Sequence, residues 1–573
     1  MTIYDFIKKQ EVRYQKPIEL EDGWWWSMKA HLRRSYLYKH SQFEEENDNR
    51  DLRPNKNIVR GILNVHYRTE GFDVKDIDLY VDDKEHYYKS FLVKKFHDDW
   101  ALDNQIDTFI DDLVQSYVDY GGALVRNVDE KRPIVINLRS LAFCSQKDIL
   151  ANPFAIKHEF SVSQLREMTK WDRVEELIVL SKKEDEDKDI IVYEVIGTMP
   201  SEWLGKGNKK DIQQIQVVAF YKDQNSNEQG ITLFKSELPE LTFKFLKRDK
   251  IDERALGWGG VEELFETQIW TNWNEVKITE MLDSASKTLF KSTDPAFKTR
   301  QNLNNVDNNE VLTLQEGRDI TQLDTYPRNL QVFQQALERW EVHAMQLGSV
   351  SEGMMGESPS SGTPFKLFEA QQIQAQGMHK FRQGQIAVFV EEIYRDWSIP
   401  SFQKEITKDM TFLSELSANE MQQISEAVIT NRYNKAIVDE IIKRPIGENI
   451  EPEEATKMLE DQRKGFFGSS KKFLEILKDD FKNKKLDVHA NIVGKQKNLA
   501  LLTDKIVGLV RQFIATPQIR QDPEMVKLLN TILESSGMSP IMFGAIPQQQ
   551  GMQGGSTEPL KQMSQQPAMA GML

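Results

Sequence analysis

Three pairs of neighbouring carboxylates, Asp82 with Asp83, Asp98 with Asp99 and Asp111 with Asp112, are the groups in this 573-residue chain best suited by type to hold Mg²⁺ for phosphodiester cleavage. Their spacing works against that use. Adjacent residues on a helix point in different directions, so each pair reads as a solvated face. The nine histidines are scattered, none at ligand spacing from a second. The one cysteine, Cys144, lies in the apolar run SLAFCS and reads as a buried structural thiol. A single cysteine leaves no intrachain disulfide framework, as expected of folding in a reducing compartment. The sequence contains no G-x-x-x-x-G-K-[ST], H-E-x-x-H, paired C-x-x-C or G-x-S-x-G. The segment EWLGKGNKKD has glycine and lysine without the phosphate-loop spacing and reads as a hairpin or loop. ATPase, zinc-hydrolase and serine-esterase chemistry lose their usual footholds, and no catalytic residue, cofactor or metal is expected.

The charge balance narrows the partners. With 74 basic against 89 acidic residues the net charge is −15, the wrong sign for a protein that grips nucleic acid by displacing counterions. It is compatible with a surface along which a polyanion slides. No stretch approaches the roughly 20 apolar residues of a membrane span, and MTIYDFIKKQEVRYQK has no apolar run before a cleavage site. The expectation is a soluble protein.

The elements that position any site are mostly helical. From Val261 to Phe290, apolar residues at Val261, Phe265, Ile269, Trp273 and Val276, continued by Ile278, Leu282, Ala285 and Leu289, predict one helix of roughly 45 Å at about 1.5 Å per residue. A second helix is predicted through Leu330, Phe333, Leu337, Trp340, Ala344 and Leu347. Between them, 291–327 alternates the turn-rich QNLNNVDNNE with strand-like VLTLQ. After Leu347 comes GSVSEGMMGESPSSGT, whose four glycines and five serines rule out continuous helix and predict a loose loop. Helix resumes at Thr363, an N-cap, and Pro364, at the first helical position, and runs to about Trp397.

Upstream, Trp24–Trp26 are expected in the core rather than in an assembly contact, beside a basic patch of His31, Arg33 and Arg34. NIVRGILNV has helical spacing. Leu102, Ile106, Ile110, Leu113 and Tyr117 predict an amphipathic helix closed by Gly121 and Gly122. ALVRNV and PIVINLRSLAFCS read as strands. DIIVYEVIG, IQQIQVVAFYKD, GITLFKS and LTFKFLKR predict a small antiparallel sheet, and the glycines of DERALGWGGVEEL a sharp turn. Beyond Trp397 the chain reads as successive amphipathic helices, with one strand at LDVHANIV. The Gln-, Met- and Pro-rich stretch 547–573 is expected to be disordered.

The order long helix, short excursion, long helix, Gly/Ser loop, long helix resembles the stem, clip, stem and tunnel-loop region of tailed-bacteriophage portal proteins, the rings through which genomic DNA enters and leaves the capsid. The N-I-V helix, the helix ending in Y-G-G-A and the strand pair after it are similar to the wing of the same family. The class this implies is α+β, mostly α: wing 1–260, first stem helix 261–290, a small α/β clip 291–327, second stem helix 328–347, tunnel loop 348–362, a long helix 363–397 back into the wing, a helical crown 398–546 and a tail 547–573. The resemblance implies a homo-oligomeric ring, of twelve copies in the family, at one capsid vertex of the virion and assembled in the bacterial host cytoplasm. Its partners would be double-stranded DNA passing without sequence specificity, the terminase large subunit, a head-tail adaptor and the major capsid or scaffolding protein, with no membrane. Twelve helices packed at roughly 9 to 10 Å would leave a bore of about 25 Å, enough for a hydrated duplex.

In this reading the loop residues Gly348, Ser349, Glu352, Gly353, Met354, Met355, Gly356, Glu357, Ser360 and Gly362 narrow the bore. Lys277, Lys287 and Lys291 are the candidate channel-facing cations. Asn302, Asn304, Asn305, Asn308 and Asn309 are the candidate clip contacts. A helical scaffold or adaptor of a virion would share the periodicity; a nucleic-acid-processing enzyme fits less well, for want of a basic surface.

Overall fold

The computed structural model describes residues 2–41, 56–81, 87–128, 132–151, 153–181, 189–207, 210–222, 228–238, 242–286, 290–293, 316, 319–322, 329–356, 365–401, 418–443, 450–467 and 486–490. Helices and sheets are mixed, with helix predominating. The chain opens with α1 (Ile3–Gln15), a hairpin of β1 (Ile18–Glu21) and β2 (Trp24–Trp26), α2 (Met28–Lys39), α3 (Val59–Glu70), β3 (Ile77–Val81), α4 (Tyr87–Asp103) and α5 (Ile106–Tyr120). A β-rich stretch follows: β4 (Gly122–Val128), β5 (Arg132–Ile136), β6 (Leu141–Phe143), β7 (Phe154–Phe160), α6 (Val162–Glu167), α7 (Val174–Ser181), β8 (Ile190–Pro200), β9 (Asp211–Lys222), β10 (Glu228–Glu237) and β11 (Phe243–Lys247). Then come α8 (Gly260–Glu263), α9 (Phe265–Ser286), β12 (Phe290–Ser292), β13 (Ile320–Gln322), α10 (Leu330–Leu347), α11 (Glu352–Met355), α12 (Phe365–Ile393), α13 (Ala418–Lys443), α14 (Pro452–Phe467) and β14 (Leu486–Ala490). No described helix is long and apolar enough to cross a membrane.

The expected small sheet exists as five antiparallel strands in the order β10-β9-β8-β7-β6, but β11 leaves it to join β4 and β5 in a separate three-stranded sheet. β14 pairs with β3, bringing the LDVHA segment back against the N-terminal half. In α5, Ile106, Ile110, Leu113 and Tyr117 are buried as their spacing predicts, each apolar side chain contributing about 1.5–3 kcal/mol. Leu102 is 76% exposed instead. The chain breaks at Gln105, where φ is +53°, so Leu102 belongs to α4 and the stripe restarts at Ile106.

Gly121 ends α5 in the left-handed conformation, and its carbonyl accepts from the amides of Arg248 and Gly257 at 3.0 and 2.9 Å. The segment after β11 thereby folds back onto the α5 terminus. A Cβ at Gly257 would lie 1.4 Å from the Arg248 carbonyl oxygen, which is why glycine stands where the chain is handed to α8.

The helix that follows departs from expectation twice. It is α8 and then α9, interrupted at Leu264, and Phe290 is already in a strand. Twenty-two residues of α9 span about 33 Å rather than 45. More consequential is which way α9 faces. Its buried side carries Thr267, Gln268, Thr271 and Asn274, while Ile269, Trp270, Trp273 and Leu282 are 41–49% exposed. The buried polar face has a local cause: Gln268 accepts from the amides of Ile58 and Val59 at the start of α3 and donates to the Lys56 carbonyl, taking up amides that Asn57, which accepts from Arg60, leaves over. α10 runs antiparallel beside α9, with Trp340 stacked on Trp270 at 6.0 Å and Phe333 near Trp273 at 6.1 Å. The β12–β13 ribbon joins the far ends of the two helices.

Two further expectations are corrected. Of the tryptophan triplet only Trp26 is buried; Trp25, 57% exposed, is on the opposite face of the β1–β2 hairpin, and Trp24, 68% exposed, sits at its turn next to Gly23. His31 is buried rather than part of a basic patch, and burial, only partly offset by Glu262, holds its pKa down at about 4. Cys144 packs on Met28 at 3.6 Å, and burial pushes its thiol up to about 12. Asp98, Asp111 and Asp112 are exposed. Asp82 and Asp83, Thr363 and Pro364, most of the proposed clip and crown, and 547–573 lie outside the described residues.

Candidate functional site

The Gly/Ser segment begins where α10 ends, and its first half is docked rather than loose. Gly348 donates to the Ala344 carbonyl at 2.9 Å; Ser349 turns the chain with φ +54°, and Val350 is buried. Glu352, Gly353, Met354 and Met355 form the single turn α11, and Gly356 closes it at φ +95°. The turn packs on α3, and the residues leading into it are tied back to α10, where Val350 donates to the Met345 carbonyl at 2.9 Å. A Cβ at Gly348 would meet Ile62 at 2.6 Å, so only glycine lets the backbone lie this close to α3. Met354 packs on the core, Met355 reaches Gly61, and Arg68 donates to the Met354 carbonyl at 3.4 Å. Glu352 points to solvent. Glu357, Ser360 and Gly362 lie outside the described residues.

Beneath the turn lies a buried charge cluster that sequence reasoning missed. Glu70, in the last turn of α3, is wholly buried. Its Oε1 accepts from Arg248 at 3.0 Å and from His379 Nδ1 at 3.1 Å, with Arg382 at 3.5 Å. Arg248, just after β11, is itself fully buried. Arg382 on α12 donates twice to Asp249, at 3.0 and 2.6 Å. The two histidines carry the cluster up to the loop: His66 Nε2 lies 2.8 Å from the Gly348 carbonyl oxygen and His379 Nε2 3.1 Å from that of Ser349. Burial alone would raise the Glu70 pKa, but Arg248, the His379 hydrogen bond, His66 and Arg382 outweigh it and hold the carboxyl at about 2. For His66 burial dominates, lowering its pKa to about 3. Neutral His66 therefore donates from Nε2 to Gly348 and accepts at Nδ1 from Arg248, 3.2 Å away.

The ligating atoms of His66, Glu70 and His379 lie within 4.8 Å of one another, a set that could in composition bind a divalent ion. It does not fit one, because Arg248 and Arg382 already neutralise the carboxylate and would repel a second positive centre. Nor is there a nucleophile with a base in this group. What the arrangement can do is fix three elements, α3, the β11 exit and α12, against the first two residues after α10.

The remaining candidates are not gathered here. Lys277 pairs with Glu280 at 2.7 Å and lies 6.0 Å from the Trp273 ring. Lys291 is exposed on β12, in register with Thr321. Lys287 and Asn302, Asn304, Asn305, Asn308 and Asn309 lie outside the described residues.

The neutral histidines set a pH dependence. His66 and His31 have folded values of about 3 and 4, below the ordinary 6.5, so the unfolded chain takes up protons first as pH falls. Stability is full above pH 6.5 and is lost from there downward, by up to roughly tenfold in the folding equilibrium per pH unit for each histidine. Glu70, held at about 2, adds its own loss only below its ordinary 4.5. Urea midpoints at pH 7.5, 6, 5 and 4 measure this. A flat profile down to pH 5 would mean that neither histidine is held neutral.

No family model and no curated protein matches the sequence. Solved structures similar over nearly the whole chain include "Virion of native gene transfer agent (GTA) particle", at 8% identity and TM-score 0.34, covering 93% of this chain and 99% of that one. Another is "Neck of empty GTA particle computed with C6 symmetry", at 8% identity and TM-score 0.35, covering 92% of this chain and 96% of that one.

Proposed function

We infer that this chain is the repeating subunit of a portal-type ring in a tailed-phage-like particle. In this reading the ring is set at one capsid vertex, serves as the channel for packaging and ejecting double-stranded DNA, and docks the terminase large subunit and later a head-tail adaptor. The observation that carries the reading is the face of α9: polar Thr267, Gln268, Thr271 and Asn274 are spent on the subunit's own core, while Ile269, Trp270, Trp273 and Leu282 stay 41–49% exposed even where Trp270 and Trp273 pack on α10. A monomeric protein rarely exposes such a face, whereas unlike faces meeting around a closed ring cover it in every copy. The element order supports the same reading, with α9 and α10 as the stem pair, the β12–β13 ribbon as the root of the clip and the docked Gly/Ser turn as the root of the tunnel loop. The acidic balance supports a wall past which DNA slides without being held. The charge cluster then has a role in holding the loop root, Gly348 to Gly356, in place.

The test is the particle itself. Native mass and axial electron micrographs should give a perforated ring of about twelve subunits, the family's number; a monomer, a dimer or a solid particle would end the reading. Deleting Glu357–Ser361 should leave ring mass unchanged and abolish DNA packaging or retention. Full packaging by that variant would remove the loop assignment.

A further inference from the structure

We propose that the β1–β2 hairpin is a second, separate contact between copies of this chain, in which Trp24 and Trp25 of one subunit seat on the cationic face of α2 in the next. The proposal rests on the ring reading but uses a surface remote in sequence from α9 and α10.

The hairpin is a rigid support for two exposed aromatic rings. Gly23 makes the turn at φ +79°, with its amide donating to Glu19 at 3.2 Å. The next ring, Trp26, is buried, 4.5 Å from the Arg254 guanidinium and 6.1 Å from His31. Anchored there, Trp24 and Trp25 are presented on strand backbone rather than on a mobile tail, so little conformational freedom is lost when a partner covers them. Large aromatics held this way are the residue type that dominates interface energies.

Charge selects the occupant. Glu19, Glu21 and Asp22 surround the two rings and are all exposed. Three carboxylates repel phosphate, which excludes nucleic acid and an anionic lipid surface, and they favour a partner that brings Lys or Arg to the ring faces. The exposed side of α2 carries that charge in every copy: Lys29 and Arg33, beside Arg34, which lies 5.6 Å from the Phe265 ring of its own chain, and Arg139, set against Tyr36 at 3.6 Å. His31, buried and neutral, keeps its charge out of this face. A contact between two unlike surfaces of successive copies continues from subunit to subunit until the ring closes.

Cross-linking decides it. The only native cysteine, Cys144, is packed on Met28 with its thiol pushed up to about 12, so it gives little background. Asp22→Cys and Arg33→Cys, each at an exposed position, are prepared separately, mixed one to one during assembly and treated with a short bis-maleimide. Cross-linked dimers are expected in the mixed particles and not in either variant alone. In an independent readout, Trp24→Ala with Trp25→Ala should leave the subunit's melting temperature unchanged and raise the protein concentration at which particles dissociate by at least about tenfold. Full-size rings with no mixed cross-link, or with dimers in the Asp22→Cys variant alone, overturn this contact and leave the ring intact. Wild-type protein that never assembles overturns both.

Discussion

Ile269→Glu combined with Leu282→Glu should convert assembled particles into folded, soluble monomers. Both positions are about half exposed in the isolated subunit, at 48% and 49%, so a carboxylate at either remains hydrated there and the subunit's melting temperature should hold. In a ring with α9 against a neighbour, each glutamate would be carried into an apolar contact without a partner. That costs at least about 2 kcal/mol per position, roughly thirtyfold in association, or about a thousandfold for the pair at every interface. Trp270→Ala is the informative contrast. Trp270 stacks on Trp340 within the same chain, so its loss should lower the melting temperature as well as weaken assembly. Size-exclusion with light scattering and thermal melts separate the two effects. Rings that persist in the double glutamate variant would show that this face of α9 does not lie between subunits, and the ring reading would lose its principal support.

The contrast between α5 and α9 shows what periodicity reports. Both carry a clean apolar stripe in the sequence. In α5 the stripe from Ile106 to Tyr117 faces the subunit core, as the predicted amphipathic helix requires, with Leu102 alone falling outside it. In α9 Ile269 and Leu282 of the stripe stay half exposed and Trp273 turns toward Phe333 of α10, while Gln268 is turned inward to take up the first amides of α3. Spacing identifies an apolar face; it says nothing about whether the same chain covers it. The tryptophan triplet failed for the same reason: strand alternation turns Trp25 away from the face that buries Trp26, and Trp24, next to the Gly23 turn, is 68% exposed at the end of the hairpin. Sheet membership of β11 was illegible because a short apolar strand pairs equally well with either sheet edge, and the choice was made by the turn at Gly121 that brings Arg248 against α5. The loop was recognisable from its glycines and serines, but not that half of it is fastened down. That fastening depends on Glu70 and His379, which are 309 positions apart. The one local trace was His66 and Glu70, four residues apart on one helix face, a pairing common enough on exposed helices to carry little meaning until burial is known.

Glu70→Ala is expected to be the most damaging single substitution in the described core. It removes the carboxylate from a site with no access to water, leaving Arg248, also fully buried, without its counter-charge and His379 Nδ1 without its acceptor. Breaking one side of a buried pair costs about 3–5 kcal/mol, a large part of the roughly 5–15 kcal/mol that holds a domain folded. The damage should extend to the loop root, since His379 loses its orientation toward the Ser349 carbonyl and His66 is left beside an unpaired guanidinium. Proteolysis after Met345 or Arg339 should therefore rise together with the fall in urea midpoint. The double variant Glu70→Ala with Arg248→Met distinguishes a charge effect from simple loss of packing. Removing both charges takes away the desolvation penalty along with the attraction, so the pair should recover much of the stability that the single change loses. If Glu70→Ala unfolds with the wild type, the carboxylate is not what holds the cluster together. If the double variant is as weak as the sum of its parts, the two side chains act separately and the loop root is held by packing around Gly348 and Ile62 instead.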